Sequence, residues 1–582
     1  NRLFRSDNQG TAWRAVSPDL TRQIDRNRLK LMGRVWSVDA VAKNTSTPLY
    51  GSIVTLAESP PKEGLLWVGT DDGLIQESEN GGGNWRRIEH VPGVPDTTFV
   101  SRVEPSQHNV NTGYASFDNH KAGDYQPYIA KSTDLGRTWT VITGNLPERG
   151  TVYAVIEDHK DPNLLFAGTE FGLFFTNDGG KTWTRLRGGL PTIQVRDLAI
   201  QKREDDLVVA TFGRSFYVLD DLSALRSLTP SVLAAGATLF PVKRTPLYVQ
   251  SSPLGGSGVG WQGGRFYSAQ NPPFGAVFTY YLKEEIKTRR ARRQAAEREA
   301  ARAGRDVFYP PWDSLKVEDR EEAPAMILTV TDPEGRAVRR LTGPVTAGTH
   351  RVAWDLRYPP PNPPRASADS AQEDGGFGGQ PRGPYVVPGA YRVTLAKRVD
   401  GVVTPVGGEQ AVEVYPLDGG AARSPAVLAF QQKTWQLQRA VLGANAAATE
   451  VMVRIQSLKR ALQETPGLDG QLGPDLGGIE TRLRDIQEAL NGDPTVARRQ
   501  ESTPPSLSSR LGRIAAGAWS GILGDVTDTH KRQYDIVAQE FGGLLERLRA
   551  LVEVDLKRAE DAAEAAGAPW TSGRVPRWPP QE

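Results

Sequence analysis

The sequence has no cysteine, which excludes disulfide bonds, thiolate metal sites and a cysteine nucleophile. It also has no run of about 18 apolar residues, so no transmembrane segment is expected. Neither sign of charge dominates, because 70 Lys and Arg stand against 68 Asp and Glu. This balance predicts that neither nucleic acid nor an anionic membrane is drawn to the surface as a whole.

The sequence motifs of several enzyme classes are missing as well. There is no Gly-Lys-Ser/Thr phosphate loop, no Gly-x-Ser-x-Gly elbow and no Gly-x-Gly-x-x-Gly turn that opens a helix. The six histidines are isolated and never form a His-x-x-x-His pair. We therefore expect no cofactor and no metal ion.

One short pattern occurs four times in the first third of the chain. Its form is Ser/Thr-x-Asp/Asn-x-Gly-x-x-Trp. In such a turn the Asp or Asn side chain accepts hydrogen bonds from nearby backbone amides, and the Gly adopts a φ that other residues resist. The Trp then begins the return strand and packs against the hairpin. The residues given this structural role are Asn8, Trp13, Asn80, Trp85, Asp134, Trp139, Asp178 and Trp183.

Alternating strands accompany these turns, with a repeat length of roughly 40–55 residues. That length matches a four-stranded blade of a β-propeller. Residues 1–225 are therefore interpreted as about four blades and a partial one, the last of which has no Trp-terminated turn. Because the sequence begins inside a repeat, we expect further blades upstream or on a partner chain.

The repeated turn resembles the Asp-box, or BNR repeat, of sialidase-like propellers. In addition, Gly69 to Leu74, Phe99 to Glu104, Phe117 to Lys121, Gly168 to Gly172 and Val209 to Arg214 are similar to bacterial sortilin-type propeller proteins, in their C-terminal portion. Such proteins are often labelled glycosyl hydrolases because of their BNR repeats. The resemblance implies a peptide- or protein-binding propeller in the periplasm, the cell envelope or the extracellular space. The cysteine-rich module of the animal receptors is missing, so receptor function is not implied.

Composition changes after the propeller region. Residues 226–264 are rich in Pro, Gly and Ser and predict a linker. Residues 265–416 contain apolar strands separated by turn signals, which predicts an immunoglobulin-like β-sandwich. Two inserts interrupt it, namely a charged helix at 283–306 and a flexible Pro/Gly/Ser loop at 359–384.

In residues 417–568 the apolar residues recur at helical spacing, which predicts a helical bundle, and 569–582 form a tail. The fold class is therefore mainly β, with a partial Asp-box β-propeller, an immunoglobulin-like β-sandwich and an α-helical C-terminal bundle. The clearest apolar stripe of the bundle is predicted in its last helix, at Tyr534, Val537, Phe541, Leu544, Leu548, Leu551 and Val554.

Polar residues at the inter-strand corners of the predicted blades are the candidates for ligand binding. Loops at the rim of a propeller carry function more often than its strands do. One hairpin is lengthened and concentrates Asp, His and Tyr side chains. No catalytic residue is assigned. The candidate ligand-binding residues are Asp71, Asp72, Asp118, His120, Asp124, Tyr125, Glu170 and Arg214.

Three functions remain open. We favour a non-catalytic protein- or glycan-binding or scaffolding protein, because the Arg-Ile-Pro signature of sialidases is missing. A glycoside hydrolase of the sialidase-like or xyloglucan-hydrolase-like type would need two carboxyl groups facing each other, at least one with a strongly shifted pKa. A structural subunit would bury the bundle, a possible oligomer interface, against other chains. The arginines of the charged insert alternate with glutamates and not with aromatics, so nucleic acid is not expected as a partner.

Overall fold

The computed structural model of the chain describes residues 1–43, 45, 50–248, 250, 269–364, 382–417, 425–466, 470, 472–520 and 526–576. Parts of the predicted linker (249, 251–264), of the predicted loop (365–381) and of the tail (577–582) lie outside the described residues. The chain divides into two compact units, Asn1–Ala235 and Gly236–Glu582. It is mainly β, and its helices are concentrated after residue 424.

The first unit is a succession of antiparallel sheets, which is the arrangement expected of propeller blades. A two-stranded sheet pairs β1 (Phe4–Arg5) with β2 (Arg14–Ala15). Three four-stranded sheets follow: β3 (Ile53–Glu58), β4 (Leu66–Thr70), β5 (Ile75–Ser78) and β6 (Arg86–Ile88); β7 (Phe99–Pro105), β8 (Gly113–Asp118), β9 (Tyr128–Ser132) and β10 (Thr140–Val141); β11 (Val152–Glu157), β12 (Leu165–Thr169), β13 (Gly172–Thr176) and β14 (Thr184–Leu186). The last sheet has three strands, β15 (Val195–Gln201), β16 (Asp206–Thr211) and β17 (Phe216–Leu219).

The first strands of successive sheets lie against one another, and all four carry a register shift at the same place. The shift falls between Ile53 and Thr55 in β3 and recurs at the corresponding position of β7, β11 and β15. A bulge of this kind changes the direction of the extra residue's side chain and increases the local twist of the strand. The four extra residues are Val54, Ser101, Tyr153 and Arg196.

Close packing between sheets explains two glycines. A Cβ atom at Gly69 would lie 2.6 Å from Val100 Cγ1, in the first strand of the next sheet. One at Gly168 would lie 2.7 Å from the carbonyl oxygen of Val195, again in the next first strand. Glycine is needed at both places because the neighbouring sheet occupies the space of a side chain.

The four Trp-terminated turns share one hydrogen-bond pattern. In the third copy, Asp134 Oδ1 accepts the amide of Thr138 at 2.8 Å, and Ser132 Oγ accepts the amide of Gly136 at 2.7 Å. The equivalent bonds in the other copies are 2.8–3.0 Å and 2.7–3.1 Å. The Gly of each copy has a positive φ, between 77° and 99°. The indoles of Trp139 and Trp183 are buried, whereas Trp13 is exposed.

The second unit begins with two sheets that share one core. A three-stranded sheet has the order β18 (Ala237–Leu239), β20 (Ala276–Leu282) and β23 (Gly348–Trp354). A five-stranded sheet has the order β19 (Thr245–Leu247), β25 (Val402–Pro416), β24 (Gly389–Val399), β21 (Ala325–Thr331) and β22 (Ala337–Gly343). Strands β18 and β19 lie where the sequence predicts a linker, and β19 pairs with β25 in parallel.

Short helices precede and interrupt these sheets. The first two, α1 (Ser223–Arg226) and α2 (Pro230–Ala234), also fall around the predicted linker. Within the predicted charged insert, α3 spans Arg289–Arg302 and begins at Thr288, whose hydroxyl accepts the amide of Ala291. A further helix, α4 (Trp312–Arg320), was not expected; its Glu318 pairs with Arg293 of α3 at 2.8 Å.

The remaining helices surround a second core, to which all but one four-residue helix contribute. They are α5 (Pro425–Gln463), α6 (Leu472–Asn491), α7 (Pro494–Ala497), α8 (Leu507–Ser520), α9 (Asp528–Ala550) and α10 (Lys557–Ala565). A π-helical segment, Leu551–Leu556, joins α9 to α10. Its wider turn shifts the helical face, so the core receives Leu556 in place of the expected Val554, which is 58% exposed.

Candidate functional site

At one end of the first unit, the turn between the second and third strands of each sheet lies beside the start of the first strand. The register places Ile53 opposite Thr70 and Val152 opposite Thr169, so the start of each first strand lies beside the end of its second strand. The contacts of Gly69 and Gly168 with the next sheet join these ends into one continuous face. All the candidate ligand-binding residues lie at or near it.

Asp71 and Asp72 have structural partners. Asp71 Oδ1 accepts the amides of Gly51 and Ser52 at 3.0 and 2.5 Å. Asp72 is fully buried, and its carboxylate accepts the hydroxyl of Thr70 at 2.6 Å and the amide of Arg22 at 2.7 Å. These bonds fix the segment before β3, so both carboxylates have a structural role.

The lengthened hairpin after β8 is held together by its own side chains. Asp118 Oδ1 lies 2.5 Å from Nδ1 of His120. Asp124 accepts hydrogen bonds from Asn119 at 2.9 Å and from Tyr128 at 2.7 Å. Burial opposes ionisation of Asp124, but these bonds outweigh it and lower its pKa. Of this group the ring of Tyr125 is the most exposed, at 52%.

Glu170 bridges two sheets. Its carboxylate accepts the hydroxyl of Tyr153, the extra residue of the β11 bulge, and the amide group of Gln194 at 2.6 Å. Burial and the Glu170 carboxylate raise the pKa of Tyr153, so its hydroxyl stays protonated and donates. Glu170 is thereby fixed beside β15.

Arg196, the extra residue of the β15 bulge, lies next to this bridge. Its guanidinium carbon is 4.0 Å from the ring centre of Tyr153 and 5.5 Å from that of Phe212. The side chain is exposed, and it has no carboxylate partner among the residues the structure describes. A stacked guanidinium of this kind presents its N–H groups to a ligand in a fixed orientation.

We call the surface formed by Tyr153, Glu170, Phe171, Arg196 and Phe212 the Arg196 face. Both phenylalanines are about half exposed or more, and the exposed Arg214 follows Phe212 in the same turn. Of these residues the sequence indicated Glu170 and Arg214. Alignment of the four first strands could have found Tyr153 and Arg196, because they are an aromatic and a cation at one repeated position.

The carboxyl group with a strongly raised pKa lies elsewhere. Burial raises the pKa of Glu104, in β7, to about 7, against the opposing effect of Arg102. The nearby Glu157 is buried and accepts Ser106 Oγ, Gln107 N and Tyr114 Oη at 2.5–3.0 Å. Because its two oxygens already bind protein groups, the two glutamates do not form the open carboxyl pair of a glycoside hydrolase.

The described part of the chain has neither a cluster of metal ligands nor a membrane-spanning helix. No group of three or more His, Asp or Glu side chains there is arranged to hold a metal ion. No described helix is both long and apolar enough to cross a membrane.

No family model and no curated protein matches the chain. Solved structures with similar folds are β-propeller proteins. YCF48 bound to a D1 peptide is 17% identical with a TM-score of 0.24, over 29% of this chain and 51% of that one. An ancestral GH74 enzyme is 11% identical with a TM-score of 0.27, over 69% and 51%. The extracellular domain of a hybrid two-component system from B. thetaiotaomicron is 10% identical with a TM-score of 0.24, over 64% and 39%.

The match thus spans about half the length of these structures or less. The identities and TM-scores are too low to establish a shared family or activity.

Proposed function

We propose that the first unit is a non-catalytic binding module that holds a polypeptide carrying a carboxylate at the Arg196 face. The observation that supports this most is the exposed Arg196 guanidinium, stacked 4.0 Å from Tyr153 and without a carboxylate partner among the described residues. Charge-assisted hydrogen bonds to a carboxylate suit its planar geometry. Because Tyr153 already orients the guanidinium, little side-chain entropy is lost on binding.

The neighbouring aromatic rings supply the apolar part of the site. Phe171 and Phe212 expose 49% and 62% of their surface in adjacent turns. Aromatic and arginine side chains are the usual anchors of polypeptide recognition. Glu170 contributes by position, because its bonds to Tyr153 and Gln194 keep the two sheets in register.

The wider assignment is part of the same proposal. The repeated hydrogen bonds of the four turns support their interpretation as Asp-boxes of a sortilin-type propeller, a family found outside the cytoplasm. The paired sheets of the second unit would act as an immunoglobulin-like sandwich, and its helices as a bundle, which together provide assembly or docking surfaces. In this assignment the chain is a scaffold for the binding face.

The test is selection of ligands from a phage-displayed random peptide library on the immobilised protein. We expect enriched peptides to combine an acidic residue with an aromatic or aliphatic one. Their dissociation constants, measured by calorimetry, should rise at least tenfold in Arg196→Ala, the loss of about 1.4 kcal/mol or more. Arg203→Ala, a change at an exposed arginine of the β15–β16 turn, is the matched control and should leave them unchanged.

Two outcomes would contradict the proposal. Enriched peptides that bind Arg196→Ala as tightly as the unchanged protein would place the site elsewhere. Alternatively, the protein hydrolyses members of a chromogenic glycoside panel and Glu104→Gln abolishes that activity, which would favour the glycoside hydrolase.

A further inference from the structure

The flank of the first unit at β3 is uncovered, although the same position is buried in every other sheet. Leu56 in β3 is 49% exposed. The equivalent residues of β7, β11 and β15 are Val103, Val155 and Leu198, which are 1%, 0% and 2% exposed because the preceding sheet covers them. Leu56 is apolar like its buried equivalents, but no described sheet packs against it.

The β1–β2 sheet marks the place of that preceding sheet. The indole of Trp85 donates to the carbonyl of Val16, just after β2, at 3.3 Å. The indole of Trp183 donates in the same way to Ile142, just after the fourth strand β10, at 2.9 Å. β2 therefore occupies the position of the fourth strand of a complete sheet, and β1 occupies that of the third strand.

Among the described residues, no strand occupies the place of the first and second strands of this sheet. Among the described strands β1 pairs with β2 alone, so its inward edge can accept a further strand. A groove runs between this edge and β3–β4, lined on its apolar walls by Leu3, Phe4, Leu56 and Leu66. In the other sheets this volume is filled by a two-stranded antiparallel ribbon.

We propose that this groove binds a two-stranded antiparallel β-ribbon supplied by a partner polypeptide. The ribbon pairs with β1 by strand addition and covers Leu56 with its side chains. The other sheets indicate the chemistry: Trp67, Tyr114 and Phe166 hold one position in the second strands β4, β8 and β12 and are each 0–1% exposed. Strand β16 has Val208 at that position. An aromatic side chain is therefore expected at that position of the ribbon.

The experiment uses the full 582-residue protein and a fluorescent, backbone-cyclised peptide of residues 152–169, the β11–β12 ribbon of this chain. Fluorescence anisotropy should show saturable binding, and a cyclised peptide of the same composition in scrambled order should not bind. Leu56→Asp should weaken binding at least tenfold. Val218→Asp, a matched change at an exposed apolar residue of β17, should change it less than twofold.

Each other result overturns the proposal. Binding that is absent, or that Leu56→Asp leaves intact, shows that the groove does not accept a ribbon. A dimer of the protein that Leu56→Asp dissociates shows that a second copy covers the flank. Circular dichroism checks that each variant is folded. Peptide binding at the Arg196 face should be the same in Leu56→Asp, so failure here is distinct from failure of the proposed function.

Discussion

Arg226 binds both carboxylate oxygens of Asp158, at 2.7 and 2.8 Å, and so ties α1 to the turn after β11. The same guanidinium reaches Asp205 at 2.8 Å, in the turn between β15 and β16. Asp158 is fully buried. One cation therefore links the β11–β14 sheet, the β15–β17 sheet and helix α1.

Removal of the Arg226 guanidinium should destabilise the folded state. Arg226→Ala leaves the Asp158 carboxylate buried without its charge partner, and we expect the free energy of unfolding to fall by roughly 3–5 kcal/mol. Urea denaturation followed by circular dichroism measures it. Arg203→Ala, at a largely exposed side chain, should stay within about 0.5 kcal/mol of the unchanged protein. Equal values for the two variants would show that the ion pair adds nothing.

Substitutions in the Trp-terminated turns should separate charge from hydrogen bonding. Asp178 Oδ1 accepts the amides of Lys181 and Thr182 at 2.9 and 3.0 Å. Asp178→Ala loses both bonds and should cost about 1–3 kcal/mol. Asp178→Asn should cost less than about 1 kcal/mol, because Asn80 makes the equivalent bond in its own turn. Thermal melts of the two variants measure the difference, and an Asn variant as unstable as the Ala variant contradicts this account.

Stability should pass through a maximum in mildly acidic solution. Burial raises the pKa of Glu104 to about 7, so the folded state holds a proton that the unfolded state releases above about pH 4.5. Hydrogen bonds lower the pKa of Asp134 and Asp178 to about 2, and for Asp178 they do so against burial. The free energy of unfolding should therefore fall as pH rises from about 5 to 7.5, and fall again as pH drops below about 4.

The neutral-pH limb of this profile has its own control. Glu104→Gln removes the titrating group and should flatten the decline between about pH 5 and 7.5 while leaving the acid limb in place. Denaturation midpoints across this range test it. A decline of unchanged slope in Glu104→Gln would assign the limb to another group.

The contact between the β11–β14 and β15–β17 sheets should not tolerate a methyl group. Gly168→Ala places a Cβ atom 2.7 Å from the backbone oxygen of Val195, which cannot move without shifting β15. We expect a loss of about 1–3 kcal/mol. Gly188→Ala is the matched control, because nothing lies within 4 Å of its added Cβ. Similar unfolding midpoints for both variants would contradict the close approach.

Local patterns allowed the sheets to be predicted well from the sequence. The strand Ala276–Leu282 lies within residues 265–416, where apolar residues between turn signals predicted strands. The four turns were found because Asp or Asn, Gly and Trp each have one geometric role at a fixed spacing. The candidate ligand residues were less informative, since Asp71 and Asp72 bind backbone amides of their own unit.

The rest depends on contacts that no local pattern encodes. Arg196 meets Tyr153 because two bulges and the packing of two sheets bring them together. Leu56 has the same apolar character as Val103, and its exposure is set by which sheet stands in front of it. The π-helical segment moved Val554 off the predicted stripe, because one wider turn changes the helical phase.

The claim that successive sheets repeat one packing arrangement is tested most directly by an engineered disulfide in this cysteine-free chain. A Cβ atom at position 69 would lie 2.9 Å from that of residue 100 and 2.6 Å from Thr55 Cγ2. Gly69→Cys with Val100→Cys therefore reaches disulfide geometry after a small shift that separates position 69 from both neighbours. Oxidation followed by mass spectrometry should show a bond in this double variant and free thiols in Gly69→Cys with Val195→Cys. Free thiols in the first pair, or a bond in the second, would contradict the arrangement.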